Sequence, residues 1–235
     1  MQTASDIYYH GPVIVFDLDD TLYSEYEHAV GAYRAVCSMS DLCHPKVRKV
    51  ALEAMTGALE RGENPFDSLE ESLAAAGFPS LATVHRRLNV YRHFKPSALT
   101  LYPDAKDVLN RLRERNIRMA IVTDGRSFTQ SAKIRALGIE DFFHPADILI
   151  SGETGHDKSE PDNFTAIVHH YPEASRFVYI GDNPARDFDV PLSLGWETFC
   201  LRSRKNNIHP QTAEALAAIP ETRLIDSLND VADTL

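Results

Sequence analysis

Three carboxylates crowd the segment Asp17-Leu18-Asp19-Asp20-Thr21, directly behind the apolar run Val13 to Phe16. Further along come Thr123-Asp124-Gly125, then Lys158 inside "GHDKSEPDNF", then Gly181-Asp182 with Asp187 five residues on. Acids gathered in one crevice raise one another's pKa and destabilise a fold unless something compensates them. A hard divalent cation does so. Mg²⁺ suits this set best, because it is usually held by one or two carboxylates plus phosphate oxygen and water. Thr123 offers a hydroxyl, Gly125 an unobstructed backbone N–H and Lys158 a point charge, all of which hold phosphate oxygens. With Asp17, Asp19, Asp182 and Asp187 around a cation and one carboxylate to spare, the set is suited to phosphoryl transfer through an aspartyl-phosphate.

Such residues need elements to bring them together. "VIVF" (Val13 to Phe16), "RMAIVT" (Arg118 to Thr123), "DILI" (Asp147 to Ile150), "RFVYI" (Arg176 to Ile180) and "ETFCL" (Glu197 to Leu201) read as buried strands. Helical segments separate them: Ala105 to Arg115, Ser127 to Leu137 closed by Gly138, Asn163 to Tyr171 stopped at Pro172, and a last one around Thr212 to Ala218. This alternation predicts an α/β fold, a doubly wound parallel sheet with helices on both faces. Residues 24–98 break the alternation and read as helices only. Ser24-x-x-Glu27 opens one that runs to about Ser38, Val47 to Glu60 follows, Asn64-Pro65 opens another that ends at Gly77, and the last spans Leu81 to His93. The expected division is a core of residues 1–23 and 99–235 with a small helical domain of 24–98 inserted after the first strand. Ligand sites in open parallel sheets lie outside the carboxyl ends of the strands. An insert that begins there is expected to act as a lid.

The order DLDDT, TDG, K-x-x-P and GD-x-x-x-x-D resembles the haloacid dehalogenase-like hydrolase superfamily, and "SGETGHDKSEPDNF" resembles its third motif. The insert resembles the cap of the branch that carries it between the first and second motifs. The resemblance implies a Rossmann-like core and a Mg²⁺-dependent phosphatase. Asp17 is then the nucleophile and one metal ligand. Asp19 protonates the leaving alcohol, later activates water, and binds metal through its backbone carbonyl, while Thr21 shapes the turn. Thr123 with the N–H groups of Asp124 and Gly125 holds the phosphoryl group, and Lys158 neutralises Asp17 and phosphate. Asp182 is a direct metal ligand, and Asp187 binds directly or through water. The pattern has departures: Ser159 stands where many members have proline, which is expected to loosen that loop, and Val190-Pro191 replaces a common Gly-Ala.

Asp19 decides between chemistries, since an alkoxide needs a proton to leave and a halide does not. That favours phosphate esters over haloacids, although a phosphomutase would keep the same residue. A non-catalytic module that binds a metabolite or partner protein is the alternative of another class, and it would be expected to lose Asp17 or Asp19. Asp20 is expected to be a solvated neighbour, His156 incidental, and Arg186 part of the loop carrying the acids. Tyr23, Tyr26 and Arg34 stand near the start of the insert, where facing the site is a guess from chain position; packing or surface roles are commoner for such residues.

The bulk composition narrows the partners. The chain has 235 residues, 43% hydrophobic and 25% charged, with a net charge of -10. That charge argues against tracking a nucleic-acid backbone and leaves room for a small phosphorylated metabolite. Cys37, Cys43 and Cys200 form a sparse, odd set that fits a reduced compartment, and Cys43-His44 with Cys37 matches no common zinc spacing. Without a basic and apolar leader or a membrane-length apolar run, the expected location is the cytoplasm.

Overall fold

The computed structural model describes residues 8–78, 82–232 and 234. They fall into two compact units, divided after Ser24 and after Leu99.

The unit Glu25–Leu99 is built from helices α1 (Glu25–Val36), α2 (Pro45–Glu60), α3 (Pro65–Ala75) and α4 (Val84–Arg92). Sequence chemistry sets their starts. Pro65 sits in the first turn of α3, where its missing N–H costs nothing, and the Asn64 side chain accepts from Phe66 N at 3.0 Å. Thr83 caps α4 in the same way by accepting from Arg86 N. The expected start of this last helix, Leu81, lies outside the described residues. The interior is apolar, with Ala32, Val36, Ala51, Met55, Leu69 and Leu73 buried. Among its described residues a buried charge stands in it: Arg87 is 0% exposed and is gripped by Asp41 at 2.8 Å and by Glu70.

The other unit holds strands β1 (Pro12–Phe16), β2 (Arg118–Thr123), β3 (Ile148–Ile150), β4 (Arg176–Gly181), β5 (Glu197–Leu201) and β6 (Arg223–Ile225). Its helices are α5 (Pro103–Glu114), α6 (Ser127–Leu137), α7 (Ser151–Thr154), α8 (Asp162–His170), α9 (Asp189–Ser193), α10 (Ala213–Ala217) and α11 (Asn229–Ala232). The strands form one sheet in the order β3-β2-β1-β4-β5-β6, every neighbouring pair parallel. Helices cover both faces, as the buried runs in β1, β2 and β4 require. Val13, Val15, Ala120, Val122 and Tyr179 share one face with Phe164, Ile167, Phe188 and Trp196. Along α5, Ala105, Val108, Leu109 and Leu112 recur at helical spacing and are buried.

Three details depart from the sequence reading. A further helix, α11, follows the one expected to be the last. β6 is a sixth strand, too short and too exposed along its first two residues to leave an apolar run. Asp147 precedes β3 rather than opening it. It is the one buried residue of a 3₁₀ turn, 2.5 Å from His170 Nδ1 and accepting from Tyr171 Oη at 2.5 Å.

Candidate active site

Strand order places the site. β2 and β4 flank β1 on opposite sides, so the chain reverses direction across the sheet there, and a crevice opens at the carboxyl ends of these strands. Phe16 stands in register with Ile121 of β2 and Ile180 of β4, which sets Asp17 beside the tips carrying Thr123 and Asp182. The Asp17 N–H donates to Ile180 O at 2.8 Å and fixes the Asp17 turn to β4.

At the tips, Lys158 Nζ donates to Asp17 Oδ1 at 2.5 Å and to Asp187 Oδ1 at 2.8 Å. Asp187 Oδ2 accepts the Asn183 N–H at 2.9 Å. Gly181 makes this fit possible, since a Cβ there would stand 2.3 Å from Asp187 Oδ2. Asp182 Oδ2 accepts from Asn207 Nδ2 at 3.0 Å. The carboxylate oxygens of Asp17, Asp182 and Asp187 lie within 4.8 Å of one another, and all three residues are buried.

The electrostatics follow from that crowding. Burial, opposed by Lys158 and reinforced by Asp187 and Asp19, pushes the Asp17 carboxyl up to about 7. Burial and the charges of Asp17, Asp187 and Asp20 raise Asp182 well above the carboxylate range. Lys158 would be lowered by burial, but Asp17 and Asp187 hold it well above its ordinary value. This is uncompensated negative charge, and an oxygen-loving divalent cation fits the three carboxylates chemically. Two other groups of donors fit a metal less well. His170 Nδ1 and Asp147 Oδ1 stand 2.5 Å apart, closer than the roughly 3 Å that separates two donors on one metal, and the His156, Glu160, Asp162 group is largely exposed.

Asp19 has different company. Its side chain accepts from Lys133 Nζ at 2.7 and 2.8 Å, from Gln130 Nε2 at 2.8 Å and from Tyr23 Oη at 2.5 Å. Burial works to raise its pKa, but Lys133, with the hydrogen bonds from Lys133, Tyr23 and Gln130, brings it below the usual value. Its side chain is not among the three clustered carboxylates. Gln130 also donates to Thr123 Oγ1 at 2.7 Å. Asp124 Oδ1 accepts the Lys158 N–H at 3.1 Å, and Gly125 N–H donates to Ser151 Oγ at 2.9 Å. Thr21 Oγ1 reaches Asp17 Oδ2 only at 3.5 Å.

Several residues read differently in three dimensions. Asp20, expected in solvent, is buried in a left-handed conformation (φ 53) and accepts Ile208 N–H at 2.7 Å. Ser159 does not leave its loop untied: its N–H donates to Asp157 Oδ1 at 2.8 Å, and its hydroxyl to the same oxygen. His156 pairs with Glu160 at 2.8 Å, and Arg186 bridges Asp124 and Asp157. Tyr23 points its hydroxyl at Asp19, and Tyr26 donates to Glu60 at 3.0 Å. Lys133, Gln130, Asn207 and Ser151 were not anticipated. Gln130 and Lys133 left one signal, as polar residues on the stripe that carries Ile134 and Leu137.

Comparison with known proteins identifies the family and the fold. The family described as hydrolase, haloacid dehalogenase-like hydrolase, matches residues 12–190. A glyceraldehyde 3-phosphate phosphatase of Methanopyrus kandleri is 30% identical over 82% of this chain and 84% of its own length. Another, from Pyrococcus abyssi, is 33% identical over 82% of each chain. The magnesium-bound crystal structure of the HAD-hydrolase YfnB from Bacillus subtilis superposes with a TM-score of 0.63 at 23% identity, covering 97% of this chain and 99% of that one.

Proposed function

The protein belongs to the haloacid dehalogenase-like hydrolase family and is a phosphoric monoester hydrolase, and we propose that it is a Mg²⁺-dependent phosphatase of small sugar phosphates. The observation that carries the reading is the buried trio Asp17, Asp182 and Asp187 with Lys158 between two of its members. Asp17, Asp182 and Asp187, with the Asp19 backbone carbonyl, are the residues proposed to hold Mg²⁺. When bound, the ion supplies charge neutralisation for the carboxylates and the phosphate oxygens.

Asp17 attacks phosphorus and the ester oxygen departs, giving an aspartyl-phosphate on Asp17. Asp19, protonated once the ester oxygen takes the place of one of its donors, passes that proton to the oxygen and takes one back from the water that cleaves the acyl phosphate. Thr123, the N–H groups of Asp124 and Gly125, and Lys158 hold the phosphoryl oxygens, and Gly125 N–H exchanges its Ser151 partner for phosphate. The helical unit follows the Asp17 turn directly in the chain and is proposed as the cap that selects the alcohol. The cytoplasm is the proposed location. It is supported by free cysteines at 37, 43 and 200, and among the described residues no helix is long and apolar enough to cross a membrane.

The test is hydrolysis of p-nitrophenyl phosphate and a sugar-phosphate panel that includes glyceraldehyde 3-phosphate, with and without Mg²⁺. Asp17→Asn is expected to lose at least about 10⁴-fold in kcat, the scale on which nucleophile deletions act. Activity surviving that substitution sinks the assignment.

A further inference from the structure

Lys133 lies outside every motif, yet it is 3% exposed and belongs to the site. It is carried by α6, which leaves the Thr123-Asp124-Gly125 loop, and it stands one helical turn from Gln130, which is 1% exposed. Residues three apart on a helix share a face, so the pair reaches the same place. Lys133 Nζ spans both oxygens of Asp19 at 2.7 and 2.8 Å. Gln130 Nε2 ties Asp19 Oδ2 to Thr123 Oγ1, at 2.8 and 2.7 Å. Tyr23 completes the set on Oδ1.

A carboxylate on a turn has two soft side-chain torsions, and an acid–base group works only when held within hydrogen-bond reach of the reacting oxygen. Four hydrogen bonds from three side chains remove that freedom here. They fill the roughly four acceptor sites of a carboxylate, so an alcohol oxygen enters by replacing one donor while the others keep the register.

We propose that Lys133 and Gln130 are a positioning pair, which aims Asp19 at the leaving-group oxygen and keeps it in step with the phosphate-holding Thr123. The inference rests on the phosphatase reading above. It predicts a loss that depends on the leaving group. Nitrophenolate departs with little help, whereas an alkoxide needs its proton. The parameter to compare is kcat/KM, which covers the steps up to departure of the alcohol and excludes the later attack of water.

The experiment measures kcat/KM for p-nitrophenyl phosphate and for an alkyl phosphate that the wild type hydrolyses. The enzymes are wild type, Asp17→Asn, Asp19→Ala, Lys133→Met, Lys133→Arg, Gln130→Leu and the Asp19→Ala/Lys133→Met double variant. Lys133→Met is expected to lose at least about 10-fold more on the alkyl ester than on the aryl ester, within the 10²–10⁴-fold reach of general acid catalysis. Lys133→Arg should recover part of that loss. In the Asp19→Ala background Lys133→Met should add less than about 3-fold, because the two act as one unit. Equal losses on both esters, additive losses with Asp19→Ala, or unchanged rates on the alkyl ester overturn the inference. Lys133→Met strips a half-buried carboxylate of its cation and endangers folding. Gln130→Leu therefore repeats the test with the charge kept, and an expected excess alkyl loss of about 5-fold follows the same logic. An equal loss on both esters in that variant overturns the inference as well. Activity that survives Asp17→Asn overturns the aspartyl-phosphate assignment and the positioning pair together; an inactive Asp17→Asn beside equal losses overturns the pair alone.

Discussion

Two regions bury charge, and they do it differently. In the helical unit the Arg87 side chain is 0% exposed and Asp41 is nearly as enclosed, but its second partner Glu70 reaches outward at 29% side-chain exposure. At the strand tips the carboxylates themselves are inside: Asp17 is 5%, Asp182 2% and Asp187 1% exposed, with Lys158 paired to the first and the last. A buried cation whose pair of acids keeps one outlet to water is a clamp and needs nothing more. A cluster in which acids outnumber the cation, with no outlet to solvent, costs stability until another positive charge arrives. The comparison teaches that burial of charge does not identify a reactive site; negative charge left over with no outlet to solvent does.

The largest effect expected from breaking the contrast is on the clamp. Arg87→Met should cost about 3 kcal/mol in chemical denaturation, the lower end for breaking a buried pair because Glu70 is partly solvated. The tips should respond in the opposite sense. In a chelator, Asp182→Asn should raise the melting temperature, since it relieves repulsion from Asp17 and Asp187. Wild type should gain about 2.7 kcal/mol from Mg²⁺ at a hundred times Kd, and Asp182→Asn less than a third of that at the same concentration. An equal gain would show that the trio is not where the ion binds.

A pH series sharpens the same contrast. The Asp17 pKa is raised to about 7 in the fold against 3.8 for the free side chain, so the folded state holds a proton that the unfolded chain has lost. Its contribution is fully present below pH 4 and lost as pH rises to about 7, so metal-free stability should fall across that window relative to Asp17→Asn. A difference of at least about 1 kcal/mol is expected, read as denaturation midpoints at either end of the window. The smallest effect lies back in the helical unit. Asn64→Ala should cost about 1 kcal/mol through the lost cap, with phosphatase activity unchanged.

What was legible in the sequence is what local chemistry writes. Asp17, Thr123 and Asp182 follow apolar runs, and a parallel sheet gathers the tips of its strands, so their convergence could be read from order alone. Gly138 stops α6 in the left-handed conformation that its position predicts (φ 66). Lys133 and Gln130 were hidden because a lysine or glutamine on a helix ordinarily faces water, and only the packing of α6 turns them inward. Asp20 was misread because its fate depends on Ile208, a partner 188 residues away. β6 has three residues and no apolar run, and it exists only because β5 offers an edge.

The segment after β5 binds the acidic turns from behind. Ile208 N–H holds Asp20, Asn207 holds the Asp182 carboxylate, and Gln211 Nε2 holds the Asp182 carbonyl at 2.5 Å. The stretch that matches the family ends at residue 190, ahead of all three. A polypeptide shortened to that match would keep every motif residue. It would also leave β4 as a raw, sticky margin and free both turns to drift. Such a fragment should self-associate, and it marks the limit of treating the recognisable part of a chain as the whole of its working machinery.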